Sequence, residues 1–197
     1  MKILIFASGY GSNAEAIMNA TQAGGKLEGV EIAALASDNP DARALQVAKS
    51  RRIKAVYLNP ERRGARFTPS SEKRYNDFVL SEAPDLVVLA GFMRILPDSF
   101  VGLFGKKTIN LHPSLLPAYK GKDSIKRAFE AGETKCGCTV HYVSSELDGG
   151  EIIAQREVEI APSDTLETVE AKVHAAEHIL LVDVVADIAK KHADNAV

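Results

Sequence analysis

The chain has 197 residues, 46% of them apolar and 25% charged, with a formal net charge of -2 at pH 7. That is enough chain for one sizeable core, and a near-neutral balance without a basic run argues against a partner held mainly through nucleic-acid phosphates. The longest apolar runs, Leu86–Leu89 and Ile179–Val182, are far too short to cross a bilayer, and Cys136 and Cys138 stand too close together for a disulfide framework. With no separate apolar leader ahead of the first strand, a single cytoplasmic domain is expected.

Lys2–Ser8 is almost continuously apolar, as expected of a strand buried on both faces of a parallel sheet. It breaks at Gly9-Tyr-Gly11-Ser-Asn13, after which Ala16, Ile17 and Ala20 recur at helical spacing. A strand, a glycine turn and a helix start bring free N–H groups and the positive end of a helix dipole to one point, which makes an anion site. The plainer reading is a tight turn that binds nothing. Gly9-x-Gly-x-x-Ala14 also fits the looser dinucleotide fingerprint, and a second strand, Val30–Ser37, ends at Asp38, where such proteins keep a ribose-binding acid. A nicotinamide-dependent oxidoreductase is therefore one rival reading. Pro40–Ala48 predicts a helix and Ala55–Leu58 a short third strand.

Asn59–Ser71 carries Arg62, Arg63 and Arg66 with Gly64 and Pro69, and reads as a surface loop with solvated arginines. Ser71–Ser81 predicts a helix and Leu86–Ala90 another apolar strand. Strands alternating with helices imply a single-domain, doubly wound, mostly parallel α/β sheet with helices on both faces. Gly91–Pro97 follows the fourth strand at its carboxyl end, where open α/β sheets bind ligands. There Phe92, Met93, Ile95 and Leu96 around Arg94 suit a flat, partly apolar ligand, or equally the packing beneath a loop.

Thr108-Ile-Asn110-Leu-His112-Pro113 begins as a strand, and period two points Asn110 and His112 to one face. Pro113 lacks an N–H and ends the ladder. An amide donor and a titratable ring side by side where a strand stops suit a developing oxyanion. A buried edge strand with a satisfied histidine is the bland alternative. Ser124–Glu130 predicts a short helix. In the strand Cys138–Val143, period two separates Cys138 from His141, which disfavours a metal site built from Cys136, Cys138 and His141. His141 itself has two open readings, one at the catalytic edge and one structural. Asp148, in the turn Glu146-Leu-Asp-Gly-Gly150, is an ordinary turn acid unless a histidine lies beside it, when it favours the imidazolium form. Glu151–Ile160 predicts the last strand. A helix then starts near Pro162, capped by Ser163 or Asp164, and puts Glu177 and His178 on a solvated face by default.

Taken in order, Ser8-Gly-x-Gly-Ser-Asn13, Leu89–Leu96, Ile109-Asn-Leu-His-Pro-Ser-Leu-Leu-Pro117, Gly137-x-Thr-Val-His141 and Glu146-Leu-Asp-Gly-Gly150 resemble the phosphoribosylglycinamide formyltransferases. These are the 10-formyltetrahydrofolate-dependent enzymes of purine synthesis, and the similarity runs from Lys2 into the terminal helix. It implies a formyltransferase fold with a Rossmann-like N-terminal half. It also implies formyl transfer to the amine of 5-phosphoribosylglycinamide, giving formylglycinamide ribotide and tetrahydrofolate. By this resemblance Asn110, His112 and Asp148 are the catalytic set, and Gly11, Ser12, Asn13 and Glu177 hold the ribotide. Met93, Arg94, Ile95, Leu96, Asn110 and the Val143–Asp148 segment surround the folate. Residues 1–100 become the ribotide-phosphate half and 101–197 the catalytic and folate half.

The folate is a co-substrate in this scheme. Neither metal nor nicotinamide is expected, nor a nucleic-acid or membrane partner, and the chain is expected as a monomer or weak homodimer. Departures lie in Lys120–Lys126, where the family has Pro-Gly followed by histidines, around Glu72, where a folate-tail arginine has no match, and at His174, where a glutamine is familiar. The remaining alternatives are a methionyl-tRNA or sugar-nucleotide formyltransferase of the same fold, and a binding module that kept the fold without catalysis.

Overall fold

A computed structural model describes residues 1–195. In chain order the strands are β1 (Lys2–Phe6), β2 (Glu31–Ser37), β3 (Ala55–Tyr57), β4 (Leu86–Leu89), β5 (Thr108–His112), β6 (Lys135–Tyr142) and β7 (Ile152–Glu159). The helices are α1 (Ser12–Ala20), α2 (Arg43–Ser50), α3 (Pro69–Glu82), α4 (Asp98–Phe104), α5 (Ser124–Glu130) and α6 (Leu166–Asp194). One sheet of order β3-β2-β1-β4-β5-β6-β7 holds all seven strands. The pairings from β3 to β5 are parallel, whereas β6 runs antiparallel to both β5 and β7.

Alternation along each central strand divides the interior into two layers. Ile3, Ile5, Leu35, Leu86, Val88, Ile109 and Leu111 face one core, packed against α1, α2, α5 and α6. Leu4, Phe6, Ala34, Ala36, Val87 and Leu89 face the other, against Tyr75 and Val79 of α3 and Phe100 and Phe104 of α4. Because both faces are covered, the central strands are apolar throughout, and the doubly wound reading holds.

Three local expectations change. Helix α3 starts at Pro69, not Ser71, because Thr68 accepts the Ser71 N–H and Ser71 returns the bond in a capping box. Helix α6 is capped by Thr165 with Thr168 in the same way, while Asp164 accepts the Ala161 N–H and the Thr168 hydroxyl. The residues that α1 buries are Ala14, Ile17 and Met18, so Ala16 and Ala20 lie beside the buried stripe. Among the described residues no helix is long and apolar enough to cross a membrane.

Candidate active site

Strand β5 brings two of the expected site residues to one place. Ile109 and Leu111 point into the first core, so Asn110 and His112 face the opposite way. Neighbouring β6 aligns His141 with Asn110 and Thr139 with His112. Thr139 accepts the Leu116 N–H at 3.1 Å and donates to the Ser114 carbonyl at 2.6 Å, tying the segment after Pro113 back onto the sheet.

Asp148 enters from the 143–151 turn in a left-handed conformation, φ 49°. Its Oδ2 lies 3.4 Å from His112 Nδ1, and its Oδ1 lies 3.5 Å from Asn110 Nδ2 and 3.8 Å from His141 Nε2. Gly150 closes this turn, and a Cβ there would lie 1.7 Å from the Tyr142 carbonyl oxygen, so only glycine permits the approach.

Hydrogen bonds define the proton on each ring. His112 Nε2 lies 3.1 Å from the Tyr119 carbonyl, an acceptor only, so Nε2 carries a hydrogen. Its Nδ1 faces the Asp148 carboxylate. His141 Nδ1 lies 2.8 Å from the Tyr142 carbonyl, so Nδ1 is the donor and Nε2 accepts from the Asn110 amide at 3.2 Å. Burial lowers the pKa of His141 against the opposing pull of the Tyr142 carbonyl and Asp148, which keeps this ring neutral. The site thus pairs one neutral imidazole that orients an amide with one imidazole placed beside a carboxylate.

A second cluster forms where β1 passes into α1. Gly11 caps the helix at φ 78° without a side-chain bond, so the first-turn N–H groups are uncovered. A cavity of about 210 Å³ opens there, lined by Gly9, Gly11, Ser12, Asn13, Gly91 and Met93. Asn13 donates to Glu177 at 3.1 Å, and His174 Nδ1 lies 2.8 Å from the same carboxylate oxygen. Glu177 is only 3% exposed, which replaces the expected solvated face. Its carboxylate raises the His174 pKa.

The stretch after β4 divides its tasks. Phe92 is buried in the second core against Phe6 and Tyr75, and Leu96 packs onto the same core, so neither is a free pocket wall. Met93 and Ile95 are exposed. The Arg94 side chain is committed to Asp38 at 2.7 Å and to the Gly64 and Arg62 carbonyls. Asp38 is therefore an ion-pair partner, not a free ribose acid. The larger cavity, about 580 Å³, lies at this end beside Arg62, Arg63 and Arg94 and includes none of Asn110, His112 or Asp148. Chemistry, not size, therefore locates the site.

Cys136 and Cys138 are buried and free, and no metal-holding group of His, Cys, Asp or Glu occurs among the described residues. The structure also supplies contacts without a sequence signal, namely the Tyr119 carbonyl on His112 and the Gly121 N–H on Asp148 at 2.8 Å. Strand period left His141 with two readings, and the β5–β6 register sets it opposite Asn110.

An open, mostly parallel sheet with an amide, two imidazoles and a carboxylate at the end of β5 is the setting of a group-transfer enzyme, and residues 1–185 match the formyl transferase family. The chain belongs to that family. It is similar to the phosphoribosylglycinamide formyltransferase of Bacillus subtilis (strain 168), 38% identical over 177 residues, covering 90% of this chain and 89% of that one. The enzyme of the same name from Haemophilus influenzae is 40% identical over 178 residues, covering 90% and 82%. Among solved structures, phosphoribosylglycinamide formyltransferase from Bacillus halodurans superposes with a TM-score of 0.89 at 36% identity, covering 98% of this chain and 97% of that one.

Proposed function

We propose that this chain transfers the formyl group of 10-formyltetrahydrofolate to the amine of 5-phosphoribosylglycinamide, in de novo purine synthesis in the cytoplasm. The observation that carries the reading is the Asp148 carboxylate seated against both His112 and Asn110 at the carboxyl end of β5. Two supports stand beside it. The uncapped N-terminus of α1 suits the ribotide phosphate, and the Asn13 Oδ1, buried without a partner among the described residues, leaves an acceptor for the sugar. The exposed Met93 and Ile95 offer apolar surface to a folate ring. Arg94 serves there through its backbone, since its side chain is spent on Asp38.

In this mechanism the ribotide amine attacks the formyl carbon directly. The Asn110 amide, turned by the neutral His141, donates to the charge that develops on the formyl oxygen, and the His112 ring, oriented by the Tyr119 carbonyl and Asp148, stabilises that charge through space. Such a donor is worth about 2.7–4 kcal/mol. Asp148 holds the second proton on His112 and accepts the proton released by the amine, passing it to the departing folate nitrogen. The enzyme forms no covalent bond, and small molecules are its only required partners.

Incubation with both substrates, following loss of the formyl donor and appearance of formylated ribotide, tests the reading. One-to-one conversion is expected. Binding of both ligands without turnover would leave only a binding module.

A further inference from the structure

We propose that Arg127, on the exposed side of α5, is a positioning residue for this reaction: its guanidinium fixes the 119–122 loop whose backbone holds both His112 and Asp148. The proposal rests on the formyl-transfer reading for its kinetic consequences, though not for its geometry.

Arg127 Nη2 donates to the Tyr119 carbonyl at 2.9 Å and also reaches the Lys120 carbonyl, while Nε donates to Lys122 at 3.0 Å. Its guanidinium carbon lies 5.8 Å from the centre of the Tyr119 ring. The Tyr119 carbonyl is the one that lies 3.1 Å from His112 Nε2, so guanidinium and catalytic ring share one oxygen. Two residues on, the Gly121 N–H donates to Asp148 Oδ2 at 2.8 Å. The loop therefore grips the ring and the carboxylate from one short piece of backbone. Lys120 bonds Glu146 at 2.6 Å, but Glu146 is exposed and Lys120 only partly covered, and such a pair adds little.

Three carbonyls within four residues need a planar fork of fixed N–H groups, which arginine has and lysine lacks. Without the fork, the Tyr119 carbonyl loses the partner that holds it in place. His112 then keeps Asp148 but no longer has a fixed acceptor for its Nε2 hydrogen, so the ring orientation relaxes. Misplacement by about an ångström is enough to cost up to ~10²-fold in turnover.

The test compares Arg127→Gln and Arg127→Lys with wild type by melting temperature, steady-state kinetics and the NMR signal of the His112 Nε2 hydrogen. In both variants we expect the fold to persist and kcat to fall between ~10-fold and ~10²-fold, with the ribotide KM held within about twofold because Gly11–Asn13 are untouched. The Nε2 hydrogen should exchange faster. Because lysine restores charge without the fork, Arg127→Lys should recover little, whereas ethylguanidinium added to Arg127→Ala should restore part of kcat and ethylammonium should not. Wild-type kcat with an unchanged Nε2 signal in folded Arg127→Gln would overturn the proposal. The NMR arm needs no substrate, so it answers even if wild type transfers no formyl group.

Discussion

His174 carries a pH dependence whose direction follows from Glu177. Its pKa is raised by the hydrogen bond from Nδ1 to that carboxylate, opposed by partial burial. The proton is bound more tightly in the folded chain than in the unfolded one. Its stabilising contribution is therefore complete below the unfolded histidine value, about 6.5, and is lost as pH rises through the higher folded value. With the ring about half exposed, that contribution is below about 1 kcal/mol. Thermal unfolding of wild type and His174→Gln should differ most at pH ~6 and converge by pH ~9. A difference that stays constant across this range would show that the pair does not titrate with folding. The cysteines make a second prediction at this scale. Burial pushes Cys138 up to about 12 and raises Cys136 as well, so both remain thiols at neutral pH. Iodoacetamide should leave turnover of the native enzyme unchanged, and stoichiometric alkylation with loss of activity would contradict the buried, uninvolved placement.

At the scale of elements, two glycines answer to backbone geometry. A Cβ on Gly11 would meet the Ala44 Cβ at 2.5 Å, and the residue sits at φ 78°. Gly11→Val is thus expected to displace α2 and lower stability before any effect on phosphate is seen. Asn13→Ala tests the ribotide site more cleanly, and should raise the ribotide KM while leaving the folate KM alone. Helix α6 has a matching test, since Thr165→Ala removes the cap and should cost about 1 kcal/mol in chemical denaturation. An unchanged midpoint would return the cap to Ser163 or Asp164. The type and order of the central elements were legible because strands covered on both faces must be apolar throughout. Helix starts were less so, since several polar residues precede both α3 and α6 and only geometry selects Thr68 and Thr165. Helix α4, Asp98–Phe104, had no reading of its own.

Across the whole molecule, one buried ion pair ties the carboxyl edge of the sheet to the loop between β3 and α3. Arg94 and Asp38 have side chains only 7% and 11% exposed, and Arg94 also takes up carbonyls of the 62–66 segment. Asp38→Asn strands a buried guanidinium and should cost about 3–5 kcal/mol, whereas the double variant Asp38→Asn/Arg94→Met should recover much of that loss. Equal unfolding midpoints for the single and double variants would mean that the pair is not coupled.

The shared face of Asn110 and His112 was readable from period two and a terminal proline, whereas His141 kept two readings until the β5–β6 register set it opposite Asn110. What could not be read was which chain segments close over them. Glu177 looked solvated on its own helix because the burial comes from Asn13, 164 residues away in sequence. The half-and-half division is likewise crossed by that bond, since Asn13 and Glu177 come from opposite halves of the chain.

In the proposed transfer Asp148 and His112 act as one unit. Turnover should be measured for wild type, Asp148→Asn, His112→Asn and the double variant under identical conditions. Asp148→Asn keeps the shape and removes the charge, so kcat should fall by at least ~10²-fold with the ribotide KM nearly unchanged. His112→Asn should behave similarly, and the double variant should be no slower than the poorer single one. Losses that multiply in the double variant, or an undiminished kcat in Asp148→Asn, would contradict it.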